Sequence, residues 1–105
     1  MPFGRGRRRG RGRRPRHIAA IPRHRRFGPS DRQLPSALTI RLEELEAMRL
    51  VDHEGLTQED AAEAMGVSRK TLWVDLQEAR RKVIESIYHG RGLEIVDDAD
   101  MVIDE

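Results

Sequence analysis

The side chains of this sequence best suited to chemistry fall in one short run: Arg69, Lys70, Thr71, Trp73, Val74 and Gln77. At ~100° per residue on a helix, Lys70, Val74, Gln77 and Arg81 share a face, with Trp73 on its flank. What they offer is recognition rather than bond-making. Glutamine pairs bidentately with adenine, and lysine reaches the guanine acceptors. Arg69, Lys70 and Thr71 occupy the first turn, the part of a recognition helix that meets base edges. Ser68 before them and Arg80, Arg81 and Lys82 after them suit phosphates, which set affinity rather than sequence preference. Catalysis has no comparable candidates: the acids are spread over helix surfaces, no Gly-rich loop joins a strand to a helix, and no Ser-His-Asp set stands out. No enzyme activity is expected.

Such a face needs a helix held end-on, and the preceding residues supply the grammar for one. Thr57 is a good N-cap, and Asp60 three residues on weakly completes a capping box. Ala61, Ala62 and Met65 form a short apolar stripe, and the small Ala62 admits a second helix closely. Gly66 stands where a left-handed C-cap is needed, Val67 plugs the corner, and Ser68 caps the next helix. Leu72, Leu76, Ala79 and Val83 then recur on one helical face, the pattern of a helix-turn-helix. The second helix is expected to run to about Tyr88, with Ile84, Ile87 and Tyr88 extending its apolar side and Gly90 as its C-cap.

Around this pair, Leu38–Leu42 alternates like a short strand, and residues 43–52 turn helical before a stop at Gly55. The apolar face of that first helix is Leu45, Ala47, Met48 and Val51, with Leu50 on its flank. Glu44 falls close to this face. It is either a first-turn acid favoured by the helix dipole or a partly buried partner for an arginine, with Arg80 the candidate. Leu93–Val96 reads as a strand able to pair with Leu38–Leu42 in a two-stranded ribbon, which must pack on the helices to be stable. The expected fold is mainly α: a three-helix, helix-turn-helix domain over residues 38–96. An extended, proline-containing segment (17–37) precedes it, with Phe27 as its anchor, and an acidic tail (97–105) follows.

Charge divides the chain in two. Residues 1–32 hold twelve arginines against Asp31 alone, a net +11, whereas residues 33–105 hold eight Lys or Arg against seventeen acids, a net −9. A basic arm before an acidic body points to nucleic acid. The arm, residues 1–16, interleaves glycines with Arg5, Arg7, Arg8, Arg9, Arg11, Arg13, Arg14 and Arg16. It is expected to be disordered when free and to track phosphates. Without cysteine there is neither a disulfide nor a thiolate metal site or nucleophile. His17 and His24 lie among arginines, and His53 and His89 sit at expected helix ends, so no metal or cofactor is assigned. No apolar run approaches the ~20 residues of a membrane span. The arginine-rich start lacks the apolar segment of a signal peptide, so a cytoplasmic, nucleoid-associated protein is expected.

Several of these pieces together resemble the uncharacterised family called domain of unknown function 134, described as predicted DNA-binding proteins. They are the Arg-Pro-Arg start with Pro22 and Phe27-Gly28-Pro29, then ELEAMRLVDHEGLTQEDAAEAMGVSRKTLW, then ARRKV, and finally Gly90 to Ile95. The match runs in order over roughly residues 14–95. The helix-turn-helix is also similar to region 4 of the sigma factors of bacterial RNA polymerase, with Thr71, Leu76, Ala79 and Arg80 in the matching positions. A phage-repressor template fits less well, because it wants an aliphatic residue where Asp75 stands. The resemblance implies a sequence-specific DNA-binding domain, a transcriptional regulator on double-stranded DNA. It also marks two departures: Val74 stands where the family often has arginine, and the cysteines many members carry near the N-terminus are missing.

Two other readings stand beside that one. The Arg-Gly arm suits an RNA-binding or ribosome-associated protein, and the acidic body suits an accessory factor of RNA polymerase. A lone domain with one reading helix covers only a short site, so a homodimer on a two-fold operator is expected to supply the missing affinity. The ribbon edge or Ile84, Ile87 and Tyr88 would provide the contact.

Overall fold

The computed structural model describes residues 16–29, 37–97 and 101–103. Its elements in order are β1 (Arg16–Ile18), β2 (Arg26–Phe27), β3 (Leu38–Arg41), α1 (Leu42–Met48), α2 (Gln58–Met65), α3 (Arg69–His89), β4 (Leu93–Val96) and β5 (Met101–Ile103). Mainly α is the right class: three helices carry a small three-stranded sheet. No helix among the described residues is long and apolar enough to cross a membrane.

α1 starts directly from β3. Arg41 is still extended, and its N–H donates to the Glu44 carboxylate at 3.0 Å, closing the first turn. After Met48 the helix widens into a π turn, Arg49–His53, and the chain leaves it through Gly55 at φ 81°. α2 and α3 begin as expected: Thr57 Oγ1 accepts from the Asp60 N–H and Ser68 Oγ from the Thr71 N–H, each at 3.0 Å. Between them Gly66 takes the left-handed conformation (φ 71°), so that its N–H and that of Val67 turn back onto the end of α2. A Cβ there would be strained, and it would also lie 3.2 Å from the His17 ring. Gly90 closes α3 in the same way.

The core gathers Leu42, Ala47 and Leu50 from α1 and its π turn, Ala61, Ala62 and Met65 from α2, and Leu72, Leu76 and Ala79 from α3. Ile40 and Ile95 add the inner face of the sheet. That sheet is larger than the expected ribbon. β4 lies in the middle, parallel to β3 with Leu38 opposite Leu93, and antiparallel to β2 with Phe27 also opposite Leu93.

Of the 17–37 segment, residues 17–29 and 37 are described, with two short strands and bends at Arg23, Arg25 and Gly28, and the residue anchored in the body is Ile18 and not Phe27. Ile18 is fully buried against α1 and α2, whereas Phe27, on a two-residue edge strand, is 53% exposed. β1 also pairs in parallel with β5, Arg16 opposite Met101, so strand structure enters both the basic arm and the acidic tail. Residues 1–15 of the arm lie outside the described residues.

Candidate functional site

α3 is held by its back. Leu72, Leu76 and Ala79 are fully buried, and α1 and α2 pack against them. That fixes what faces outward. Ser68, Arg69, Lys70, Trp73, Val74 and Arg81 are exposed, and Thr71 and Gln77 are half-buried. Trp73 and Val74 hold large apolar surface in solvent, at 51% and 44% exposure. Thr71 is tied to the cap through a 3.0 Å bond between its Oγ1 and Ser68 Oγ. Among the described residues, neither Arg69 nor Lys70 is engaged by a carboxylate. Chemically the face presents two free cations, an aromatic ring, a methyl-bearing side chain and an amide, all on the first two and a half turns of one rigid helix.

Behind and beside this face lies a layer of buried charge, of which helical patterning had marked Glu44 alone. Glu43, Glu44 and Glu46 of α1 and Asp75 of α3 are almost fully buried. α1 lies among β1, β3, α2 and α3, and the carboxylates it buries there must be met by cations. Arg16 donates to Glu43 at 3.2 Å and approaches Asp75 at 3.4 Å. Arg41 bonds Glu43 at 2.9 Å and Glu44 at 3.0 Å, and also reaches Asp75 at 3.4 Å. Lys82 bonds Glu44 at 2.7 Å. Arg49 grips Glu46 with two bonds of 2.8 and 2.9 Å, and the Ala19 N–H donates to the same carboxylate at 2.9 Å.

The protonation behaviour follows. Burial alone would push the Glu44 carboxyl up, but hydrogen bonds from Lys82, the Arg41 amide and the Arg41 guanidinium outweigh it and hold its pKa below the ordinary value. The hydrogen bonds that Arg49 donates to Glu46 raise its guanidinium pKa against its burial.

The described cations assigned to phosphates all meet carboxylates, but only two of them are turned inward. Arg16 and Lys82 are corrections: both are largely buried and turned to carboxylates, Arg16 because β1 alternation points it inward with Ile18. Arg80 is half-exposed but fixed by two bonds to Asp52, at 2.7 and 3.0 Å, so it is not the partner of Glu44. Those bonds hold the Asp52 carboxyl below its usual value. Arg81 reaches Glu78 at 3.0 Å and stays in solvent. Glu44, close to the apolar face of α1, was one signal of this network in the sequence and is buried against an arginine as expected, Arg41 in place of Arg80. Asp75, the residue that fits the repressor template badly, was the other. Arg41 gave none. With Arg16, Lys70, Thr71 and Val74, Arg41 and Asp75 line a groove at the start of α3, so the charged layer abuts the exposed face.

The sequence profile of the family described as "Protein of unknown function DUF134" matches residues 6–104. A UPF0251 protein of Pyrococcus abyssi is 49% identical over 110 aligned residues, covering 100% of this chain and 98% of that protein. One from Pyrococcus furiosus is 46% identical over 110, covering 98% and 95%. One from Methanosarcina acetivorans is 44% identical over 89, covering 83% and 80%. No solved structure matches. With a profile match over nearly its whole length and relatives this similar, the chain belongs to the DUF134 family.

Proposed function

We propose that this protein is a sequence-specific DNA-binding protein, a transcriptional regulator that reads the major groove with the first half of α3. The observation that carries the reading is the pairing of free cations with exposed apolar groups at the start of a capped, rigidly backed helix. Arg69 and Lys70 project there beside Trp73 and Val74, while nearly every other cation near them is occupied by a carboxylate. A helix entering the groove by its N-terminal turns meets base edges with those positions. Lys70 takes guanine acceptors, Gln77 an adenine edge and Val74 a thymine methyl. The arginines of residues 5–14 add attraction along the backbone without choosing a sequence.

Selection from a random duplex pool, followed by titration of the enriched site, tests this. Lys70→Ala or Gln77→Ala should each cost ~1–3 kcal/mol on that site and relax preference at one base pair. Failure to enrich any duplex, with tighter binding to RNA, moves the function to the arm and an RNA partner. Capture of RNA polymerase that survives both substitutions moves it to a polymerase accessory role.

A further inference from the structure

α3 outlasts the body it packs on. Its buried side chains are Leu72, Asp75, Leu76 and Ala79, and after half-buried Val83 no residue of the helix is buried. Its last two turns put Ile84, Ile87 and Tyr88 into solvent at 52, 67 and 78% exposure. Residues three and four apart are neighbours on a helix surface, so these three form one patch. Apolar exposure of this kind, rimmed by polar groups, marks an interface.

We propose that the patch is a homodimer contact, in which a second copy of this chain lays its own α3 antiparallel across it about a two-fold axis near Ile84. The patch complements itself. In an antiparallel pair centred on Ile84, residues equally far before and after it face each other, which brings Ile84 onto its counterpart and Arg81 to the partner's Ile87. By the same register the partner's Tyr88 falls opposite Arg80 and next to Arg81, and an arginine over its ring is a favourable cation–aromatic contact that symmetry makes twice. The patch is flanked by both signs of charge, Arg81 and Glu85, so two copies meet here without the repulsion expected between their acidic bodies.

The spacing agrees. Trp73, midway along Arg69–Gln77, precedes Ile84 by eleven residues. At ~1.5 Å per residue the two reading segments then lie about 33 Å apart, against the ~34–36 Å between half-sites one DNA turn apart. At ~100° per residue the Ile84–Ile87 face stands about a quarter turn from Lys70 and Val74. Pairing therefore leaves both reading ends on one side of the dimer. The spacing argument rests on the base-reading role proposed above; the contact itself does not. Three apolar side chains on two helical turns make a contact smaller than the ~1,200 Å² of stable complexes. The free dimer is weak, and a duplex carrying two half-sites completes it.

Sedimentation of the full chain from micromolar to millimolar concentration tests the contact. The mass should rise from 12.1 kDa toward twice that value. Ile87→Glu, at an exposed site, should keep the monomer mass with an unchanged melting curve. A parent chain that stays monomeric at millimolar concentration, or an Ile87→Glu chain that associates equally well, overturns the proposal. On a two-fold site with half-sites ~10 base pairs apart, Ile87→Glu should weaken binding at least ten-fold, and on a single half-site leave it unchanged. Equal binding to the two-fold site overturns the contact and spares the base-reading role. Dimers that prefer no duplex do the reverse.

Discussion

Replacing Glu44 by alanine tests the buried charge layer most directly. The Glu44 carboxylate accepts three hydrogen bonds: from Lys82 at 2.7 Å, from the Arg41 guanidinium at 3.0 Å and from the Arg41 amide at 3.0 Å. Removing one member of a buried ion pair costs ~3–5 kcal/mol, because its partner is left charged and poorly solvated. Two features move the expectation to the low end. Arg41 keeps Glu43 and Asp75, and the Lys82 side chain, 15% exposed, can turn its ammonium partly to water. About 3 kcal/mol should be lost, which for a domain of this size lowers the melting temperature by roughly 12–24 °C. Urea unfolding followed by far-ultraviolet circular dichroism at pH 7 reads the loss. Glu54→Ala is the control, since it removes only an exposed partner of Arg49 at 3.1 Å, a pair worth ~0–1 kcal/mol. A Glu44→Ala chain no less stable than the Glu54→Ala control would refute the reasoning, and Glu44 would then be a first-turn acid with no structural duty. Lys82→Ala adds a functional arm to the same test: it should destabilise, yet leave the salt dependence of DNA binding unchanged.

Acid should act through the same carboxylate. With its folded pKa depressed, the stabilisation by Glu44 is full above the unfolded value of ~4.3 and is lost as pH falls through the lower folded value. Melting temperatures between pH 5 and pH 2 should therefore drop further for the parent than for Glu44→Gln. Gly66→Val should cost ~1–3 kcal/mol through its left-handed backbone, and more than Gly90→Val, because only at Gly66 does an added Cβ meet a neighbour, the His17 ring. Paired thermal melts decide this, and equal losses would mean that the His17 ring gives way freely. Deleting residues 1–14 takes away seven arginines. The log–log salt slope of duplex binding should become shallower by about 0.9 for each phosphate that an arginine no longer neutralises, while the ratio of specific to non-specific affinity and the melting temperature stay the same. An unchanged slope would take the arm off DNA.

What the sequence made legible was short in range. The caps at Thr57 and Ser68 and the left-handed exits at Gly66 and Gly90 are each decided within a few residues, and all four are present in the fold. The stripe Leu72, Leu76, Ala79 is equally plain, because a helix repeats its buried face regardless of what covers it. The same periodicity misleads at both ends of the helical body. It runs on through Ile84 to Tyr88, although all three of Ile84, Ile87 and Tyr88 stand in solvent. In α1 it sets Glu44 near the buried face but leaves Glu43 among surface residues; both are covered, and besides the adjacent Arg41 their cations are Arg16, 27 residues before Glu43, and Lys82, 38 residues after Glu44. Two of these three cations lie far away in sequence, and no local window contains them. β2 escapes detection for a simpler reason: two residues cannot show an alternation.

The order of the sheet has a bearing on how the protein is made. Among the described residues β2 and β3 are not paired with each other; each pairs with β4, which follows all three helices in the chain. A ribosome releases the N-terminal part first, so both strands leave the exit tunnel with no partner to meet. The helices, whose contacts are nearer in sequence, can assemble while synthesis continues. The sheet then closes late, in one step, when residues 93–96 emerge and slot between two waiting edges. Until that moment Leu38, Ile40 and Phe27 are open to any other extended strand nearby, and slow translation through α3 prolongs the exposure.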